Sequence, residues 1–400
     1  MLCRMLYLCR VFSCQYTAKL VVCRVPDFWH SAKLLVLGKM PISGSDCIME
    51  APDYDHMLVN REEITDSAIS VLTNSTHVPE RYIRTEEVLD GEIVGEDEGY
   101  ELPVIDMAKL LDPAFSASET AKLGSACRNW GFFQLANHGF DEAVMQRMKD
   151  NTLQFFSLPL ESKKAVAVRG NGFQGFGHHY TSSTGKLDWA ESLTVTVQPV
   201  GDRNMEMWPT NPPNFRYALE NYSVETTDLV MRLLGFMAAD LGVEREVLQG
   251  AFAGQRQNMT IHHYPPCHHK EKVMGIVPHT DRLGLTLLLH VDDTPGLQIR
   301  KDTRWFPFRP LPGAFVVNVG DILEVLTNGM YRGVEHRVIP DSERGRTTIV
   351  MLHAASIRGL VTLLPELLKG AEARYESINT PSISRETARR WLMGHSSSRA

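Results

Sequence analysis

The second half of the chain most narrows what it can fold into. After Met259, short runs rich in aliphatic and β-branched residues follow one another at 260–264, 284–290, 297–300, 314–319, 334–339 and 347–353. Between them stand Pro265-Pro266, Pro295-Gly296, Pro312-Gly313 and Asn328-Gly329. Proline cannot donate to a β-ladder and glycine takes up backbone angles that other residues avoid, so such pairs end strands and turn the chain. Many short strands at regular spacing predict a sandwich or barrel. The first half reads differently. Helical spacing predicts helices over 116–129, over 141–156 with Val144, Met145, Met148, Leu153 and Phe156 facing inward, and over 221–252. Strands are expected at 102–106 and 130–135. Helices first and strands later imply an α+β chain with a mainly β core.

The flanks are of another texture. Residues 1–49 carry Arg4, Arg10, Lys19, Arg24, Lys33 and Lys39 against one acid, Asp27, in the first forty positions. The favoured reading is an extension outside the fold, upstream of an alternative start at Met40, Met49 or Met57. Organelle targeting by residues 1–40 is the competing reading. Residues 50–101 form a polar lead-in ending in an acidic run, 102–220 an N-terminal region, 221–358 the long helix with the strand-rich core, and 359–400 a helical tail. No run reaches the roughly 18 apolar residues of a membrane span. With 48 acidic against 41 basic residues the chain is not built to grip phosphates, so neither nucleic acid nor membrane is an expected partner. Five of the seven cysteines lie within the first 50 residues, leaving Cys127 and Cys267 isolated in the core region; a reducing, cytoplasmic setting is expected. The oligomeric state is not legible, and a monomer is compatible with everything above.

Chemistry concentrates in the strand region. In His279-Thr280-Asp281 the two polar ligands stand at i and i+2, which in a strand point to one face. A third ligand is needed, and His336, in another strand-like run, is the leading candidate. Two histidines and a carboxylate suit non-haem iron(II) with positions left open, although zinc also accepts these donors. Arg346 and Thr348, again at i and i+2, offer a planar fork of donors and a hydroxyl matched to a carboxylate. Their other reading is a solvated basic edge shared with Arg337 and Arg344.

The order His279-x-Asp281, His336, Arg346-x-Thr348 resembles the plant-type iron(II)/2-oxoglutarate-dependent dioxygenases, relatives of isopenicillin N synthase. The resemblance runs over about residues 78–395 and includes the segments 78–84, 130–139, Trp208-Pro209-Thr210-Asn211-Pro212-Pro213, Tyr264-Pro265-Pro266-Cys267 and Asn318-Val319-Gly320-Asp321. It implies a double-stranded β-helix (jelly-roll) core with an N-terminal helical region and supporting helices. It implies Fe(II), with 2-oxoglutarate and O2 as co-substrates and ascorbate as a candidate reductant, and a hydrogen bond from Tyr264 to 2-oxoglutarate. The implied reaction is hydroxylation, desaturation or O-demethylation of a small specialised metabolite or hormone-like compound, with release of succinate and CO2.

The chain also departs from the family pattern. His262 stands where Asn is usual, Thr348 where Ser is usual, and Leu352 and Ala354 where the wall is commonly aromatic. By position, Phe176, His178, Tyr180, Thr260, His262, Leu352 and Ala354 are the expected substrate-pocket residues. Two alternatives stay open at this point: an oxidase of the same fold that does not consume 2-oxoglutarate, and a non-catalytic small-molecule binding protein on the same scaffold.

Overall fold

The computed structural model describes residues 77–84, 91–94, 101–169, 172–177, 186–356, 359–368, 372–375 and 377–379. The expected extension at 1–49 and most of the lead-in at 50–101 lie outside them. In chain order the elements are β1 (Val104–Asp106), α1 (Met107–Leu111), α2 (Ser116–Asn129), β2 (Phe132–Ala136), α3 (Glu142–Phe156), α4 (Leu160–Lys164), β3 (Gly175–Gly177) and β4 (Glu191–Gln198). Then come α5 (Phe215–Leu241), α6 (Arg245–Phe252), β5 (Gln257–Tyr264), β6 (Ile276–His279), β7 (Leu285–His290), β8 (Leu297–Lys301), β9 (Arg304–Pro307) and β10 (Phe315–Val319). The last are α7 (Asp321–Leu326), β11 (His336–Val338), β12 (Arg346–His353), β13 (Leu360–Val361) and β14 (Ile378–Asn379).

Eight strands form a major sheet in the order β1-β2-β10-β7-β12-β5-β4-β3, and four a minor sheet in the order β6-β11-β8-β9. Alternation along the major sheet explains the layering. Leu285, Leu287 and Leu289 of β7, Val317 of β10 and Ile349 and Met351 of β12 pack with Leu219, Tyr222, Leu233, Leu234 and Met237 of α5. The opposite face of the same sheet meets the minor sheet: Phe132, Tyr264 and Val316 pack with Leu297, Ile299 and Val338. Helices cover one face and a second sheet the other, which is the jelly-roll core in an α+β chain. A strand buried on both faces reads as a nearly continuous apolar run. That is why β7 and β12 stood out in the sequence.

Local chemistry sets the helix ends. Asp106 and Asp141 cap α1 and α3, each accepting two backbone N–H bonds (Ala108 and Lys109; Ala143 and Val144) that the first turn leaves over. The pattern over 221–252 is two helices rather than one. Gly242 sits at φ 69° and closes α5 by donating to the Ala238 and Ala239 carbonyls, a left-handed cap that costs a glycine little. Leu153, expected inward on α3, is 47% exposed. Strands β3, β4, β6 and β9 lie outside the runs read from sequence. Of these β4 carried a signal, since Leu193, Val195 and Val197 alternate with Ser192, Thr194 and Thr196. Where a helical tail is expected from residue 359, the described residues hold the short β13–β14 pair and a single 3-10 turn at Pro365–Leu367. The remainder of that tail lies outside them.

His353 ends β12 on the helix-facing side and is 2% exposed. Burial pulls its imidazole down to about 4, from an ordinary 6.5. The unfolded chain therefore binds a proton that the folded chain refuses between these values, so folding stability is lost as pH falls from 6.5 towards 4. The window corresponds to about 3 kcal/mol for a group buried this completely. Urea unfolding across this pH range should show His353→Leu with a flatter acid limb than the parent chain. Parallel limbs would show that the group does not report on folding.

Candidate active site

Two ligand-bearing strands meet at the end of the minor sheet. β6 is its edge strand, which is where Pro278 can sit without breaking a ladder. The register of β11 on β6 sets His336 directly opposite His279. Their rings lie 4.2 Å apart between centroids. Asp281 follows β6 by two residues, and its Oδ1 is 3.6 Å from His279 Nε2 and 3.8 Å from His336 Nε2. One donor atom from each residue lies within 4.8 Å of the others, and among the described residues this is the cluster that could hold a metal ion.

Backbone and side-chain partners orient all three. His279 Nδ1 sits 2.8 Å from the Val277 carbonyl and His336 Nδ1 3.1 Å from the Val334 carbonyl. A carbonyl can only accept, so each Nδ1 donates its N–H there, which leaves each Nε2 as the ring nitrogen facing Asp281. Asp281 Oδ2 accepts from Thr286 Oγ1 at 2.6 Å and Asn318 Nδ2 at 2.8 Å, which leaves Oδ1 turned to the imidazoles. Burial alone would raise the Asp281 carboxyl. His336, His279 and the two hydrogen bonds outweigh it and hold the group below its ordinary value, as a charged ligand requires. The loop that carries Asp281 is held down as well: Asp321 N–H donates to the Asp281 carbonyl at 2.7 Å and Gly320 N–H to Gly284 at 3.0 Å. A Cβ on Gly320 would collide with the Leu283 carbonyl oxygen, so the close approach needs a glycine there.

The three residues open onto a cavity of about 320 Å³ between the sheets. Its wall is the inner face of the major sheet, laid out in rungs by the ladder register. Thr194, Thr260, Val350, Leu288 and Val316 make one rung; Thr196, Asn258, Leu352, Thr286 and Asn318 make the next, nearest Asp281. Of the expected pocket residues, Thr260, His262 and Leu352 line this cavity. Phe176 does not: it packs against Phe155 and Phe156 in the helix-side core, because on β3 its side chain falls on the outer face. Ala354 lies just past the end of β12 and is not part of the lining. His178 and Tyr180 lie outside the described residues. Thr286, Asn318, Asn258 and Val350 were missed by sequence reasoning; the i, i+2 rule applied from Thr260 and Leu352 would have found Asn258 and Val350, whereas Thr286 and Asn318 are brought in by the β7 and β10 ladders.

At the far end of the cavity stands Arg346, 1% exposed, opposite Tyr264 in the β5–β12 register. Its guanidinium carbon is 5.1 Å from the Tyr264 ring centroid. Among the described residues no well-aligned hydrogen bond reaches its three guanidinium nitrogens or Thr348 Oγ1, although the Tyr264 hydroxyl lies close enough to both to interact. Burial pulls the guanidinium below its ordinary value, partly offset by Tyr264 and Asp292. Burial likewise raises the Tyr264 hydroxyl, so it remains a donor. A buried cation left without an anion costs several kcal/mol, roughly, unless a guest supplies the charge. Donors without acceptors, next to a cluster of metal-binding side chains, fit an oxo-acid that chelates at one end and ends in a carboxylate at the other. The solvated-edge reading of Arg346 is excluded by its burial.

Known proteins share this arrangement of sequence and fold. Residues 102–215 match the model of the N-terminal region of non-haem dioxygenases in morphine synthesis, and residues 255–354 that of the 2OG-Fe(II) oxygenase superfamily. The chain is 41% identical over 305 residues to 2-oxoglutarate-dependent dioxygenase 11 of Oryza sativa subsp. japonica, covering 76% of this chain and 85% of that protein. It is 39% identical over 324 residues to codeine O-demethylase of Papaver somniferum, covering 77% and 89%. Among solved structures, JOX2 in complex with 2OG, Fe and JA superposes with a TM-score of 0.70 at 29% identity over 78% of this chain and 90% of that one. Likeness at this level, across both the helical and the strand-rich halves, leaves one family: the chain belongs to the 2-oxoglutarate-dependent Fe(II) dioxygenases, oxidoreductases that use Fe(II), 2-oxoglutarate and O2.

Proposed function

We propose that His279, Asp281 and His336 hold the Fe(II), that Arg346, Thr348 and Tyr264 seat 2-oxoglutarate, and that the rungs around Thr260 and Leu352 receive a small specialised metabolite or hormone-like substrate. The substrate is oxidised by hydroxylation, desaturation or O-demethylation. The observation that carries this reading is the buried Arg346 guanidinium, which lines the cavity that also holds the His279, Asp281 and His336 cluster and has the Tyr264 hydroxyl beside it but no carboxylate paired with it among the described residues. It speaks against both an oxidase that ignores 2-oxoglutarate and a binding protein without turnover, since neither needs a buried carboxylate receptor beside a metal site.

Iron, when bound, would supply the activation of O2, which is the oxidant: 2-oxoglutarate gives two electrons and leaves as succinate and CO2, and the substrate C–H bond gives the other two. The chain binds, orients and shields. Thr286 and Asn318 keep the Asp281 carboxylate in one rotamer. Val277 and Val334 carbonyls fix the imidazole tautomers. Tyr264 and Thr348 add hydroxyl donors beside Arg346, while Leu288, Leu297, Val316 and Val338 exclude water between the two ends of the co-substrate. Low local dielectric strengthens each of these polar contacts.

Substrate choice falls to the β5 and β12 rungs. Leu352 and Val350 offer aliphatic contact, while Asn258, Thr260 and His262 supply the few polar groups; His262 Nδ1 is 2.7 Å from Ser192 Oγ. A mostly apolar cleft with sparse polar groups suits a compact, weakly polar organic molecule. Relatives named for such compounds support the class: a flavonoid 7-O-demethylase of Ocimum basilicum at 40% identity, and thebaine 6-O-demethylase of Papaver somniferum at 34%. Buried free thiols at Cys127 and Cys267, and the absence among the described residues of a helix long and apolar enough to cross a membrane, support a cytoplasmic setting.

Asp281→Ala should lose bound iron by metal analysis and all 2-oxoglutarate-dependent succinate formation; retention of both would overturn the metal assignment. Arg346→Met should weaken 2-oxoglutarate binding about 100-fold or more, as expected for removing one partner of a buried charge pair. Its melting temperature without co-substrate should be unchanged or higher, because an uncompensated buried charge is gone. Normal 2-oxoglutarate affinity in this variant would sink the co-substrate assignment. Thr286→Val and Asn318→Ala should each cost about 10- to 100-fold in iron affinity, measured by competition with a chelator, as is usual when partners of a ligand are removed.

A further inference from the structure

The pocket around Arg346 holds a buried group with no role in the reading above. His290 ends β7 on the inner face, directly across from Thr348 of β12. It is 8% exposed, and neither ring nitrogen meets a hydrogen-bond partner. Its ring centroid is 6.1 Å from that of Phe308, which packs with Tyr264, Leu297 and Val316. Three adjacent residues on two paired strands thus present polar atoms that no well-aligned hydrogen bond satisfies among the described residues: Nε, Nη1 and Nη2 of Arg346 and Oγ1 of Thr348, which have only the Tyr264 hydroxyl beside them, and Nδ1 and Nε2 of His290. A buried polar group without a partner costs about 1–3 kcal/mol, so grouping them favours one shared guest rather than separate defects. A carboxylate has two oxygens and about four lone-pair sites, enough for a guanidinium fork and two further donors.

We propose that His290 is a third anchoring residue for the distal carboxylate of 2-oxoglutarate, donating one ring N–H beside Arg346 and Thr348. This rests on the co-substrate site proposed above. Burial first, then Arg346 and Lys149, pull the imidazole well below its ordinary value and keep it neutral. A neutral ring brings one donor without a second buried positive charge, so it complements the single negative charge that Arg346 already balances. The consequence is selectivity: His290 favours oxo-acids with a distal carboxylate over those without one.

The test is anaerobic calorimetry of the Fe(II)-loaded full chain with 2-oxoglutarate and with 2-oxovalerate, which chelates identically but lacks the distal carboxylate. His290→Leu should bind 2-oxoglutarate about tenfold more weakly, the scale of one hydrogen bond to a charged group, with 2-oxovalerate unchanged. His290→Gln, which keeps an N–H, should stay within about threefold of the parent on the same scale. Equal losses on both acids, no loss on either, or a Gln variant as weak as the Leu variant would overturn the proposal. Should His290→Leu not fold, the ring 15N resonances of the Zn(II)-substituted parent chain decide: 2-oxoglutarate must shift the His290 signals, assigned by their absence in His290→Gln, and 2-oxovalerate must not. Arg346→Met separates the two levels. If it binds 2-oxoglutarate normally the underlying site is wrong, whereas a weakened Arg346→Met with a normal His290→Leu removes only the role of His290.

Discussion

A strand buried on both faces must sort its side chains between two unlike surroundings, and β12 is the strand on which this protein turns. Thr347, Ile349, Met351 and His353 face the helices; Arg346, Thr348, Val350 and Leu352 face the cavity. Its neighbours β5 and β7 are aligned so that every inward residue meets an inward residue across the ladder. A slip of one position would turn Arg346 to the helix side of the sheet, put Thr347 or Gly345 in its place and drive Ile349 into the cavity. The apolar packing of the outer face therefore fixes the register of the polar inner one. Stability and site share a single constraint.

The inner face is costly by design. Arg346 and Thr348 are buried with little more than the Tyr264 hydroxyl beside their polar atoms, and His290 with no hydrogen bond among the described residues, in a core where most such atoms are paired. The metal end differs: there Asp281, His279 and His336 each have an outer partner that fixes which atom faces inward. One end of the cavity is finished by the protein and the other is completed by its guest. Binding of 2-oxoglutarate should accordingly stabilise the fold by mass action as well as prime it for turnover.

Departures from the family pattern fall where they can be absorbed. Thr348 retains the hydroxyl of serine, and its extra methyl lies on a β-branched residue suited to a central strand. His262 is tied to Ser192 of β4, a rung partner that gives the imidazole a fixed orientation in place of an amide. These positions lie between the carboxylate anchor and the substrate rungs.

Much of this was legible in the chain alone, for a reason of scale. Strand and helix periods are local, so 116–129 read directly as α2, β7 and β12 as buried strands, and His279-x-Asp281 and Arg346-x-Thr348 as pairs on one face. Leu153 and the break at Gly242 misled because one apolar residue on a helix face, or one left-handed residue between two helices, hardly alters the period. The sequence by itself determined which residue types could serve, and that neighbours two apart would point together. Only the tertiary structure decided which strands are paired. The β11–β6 register brings His336 to His279, β10 brings Asn318 to Asp281, and the β7–β12 register sets His290 beside Thr348, while β3 carries Phe176 away from the cavity. Such meetings depend on long-range ladders closed by the whole core, and no local period encodes them.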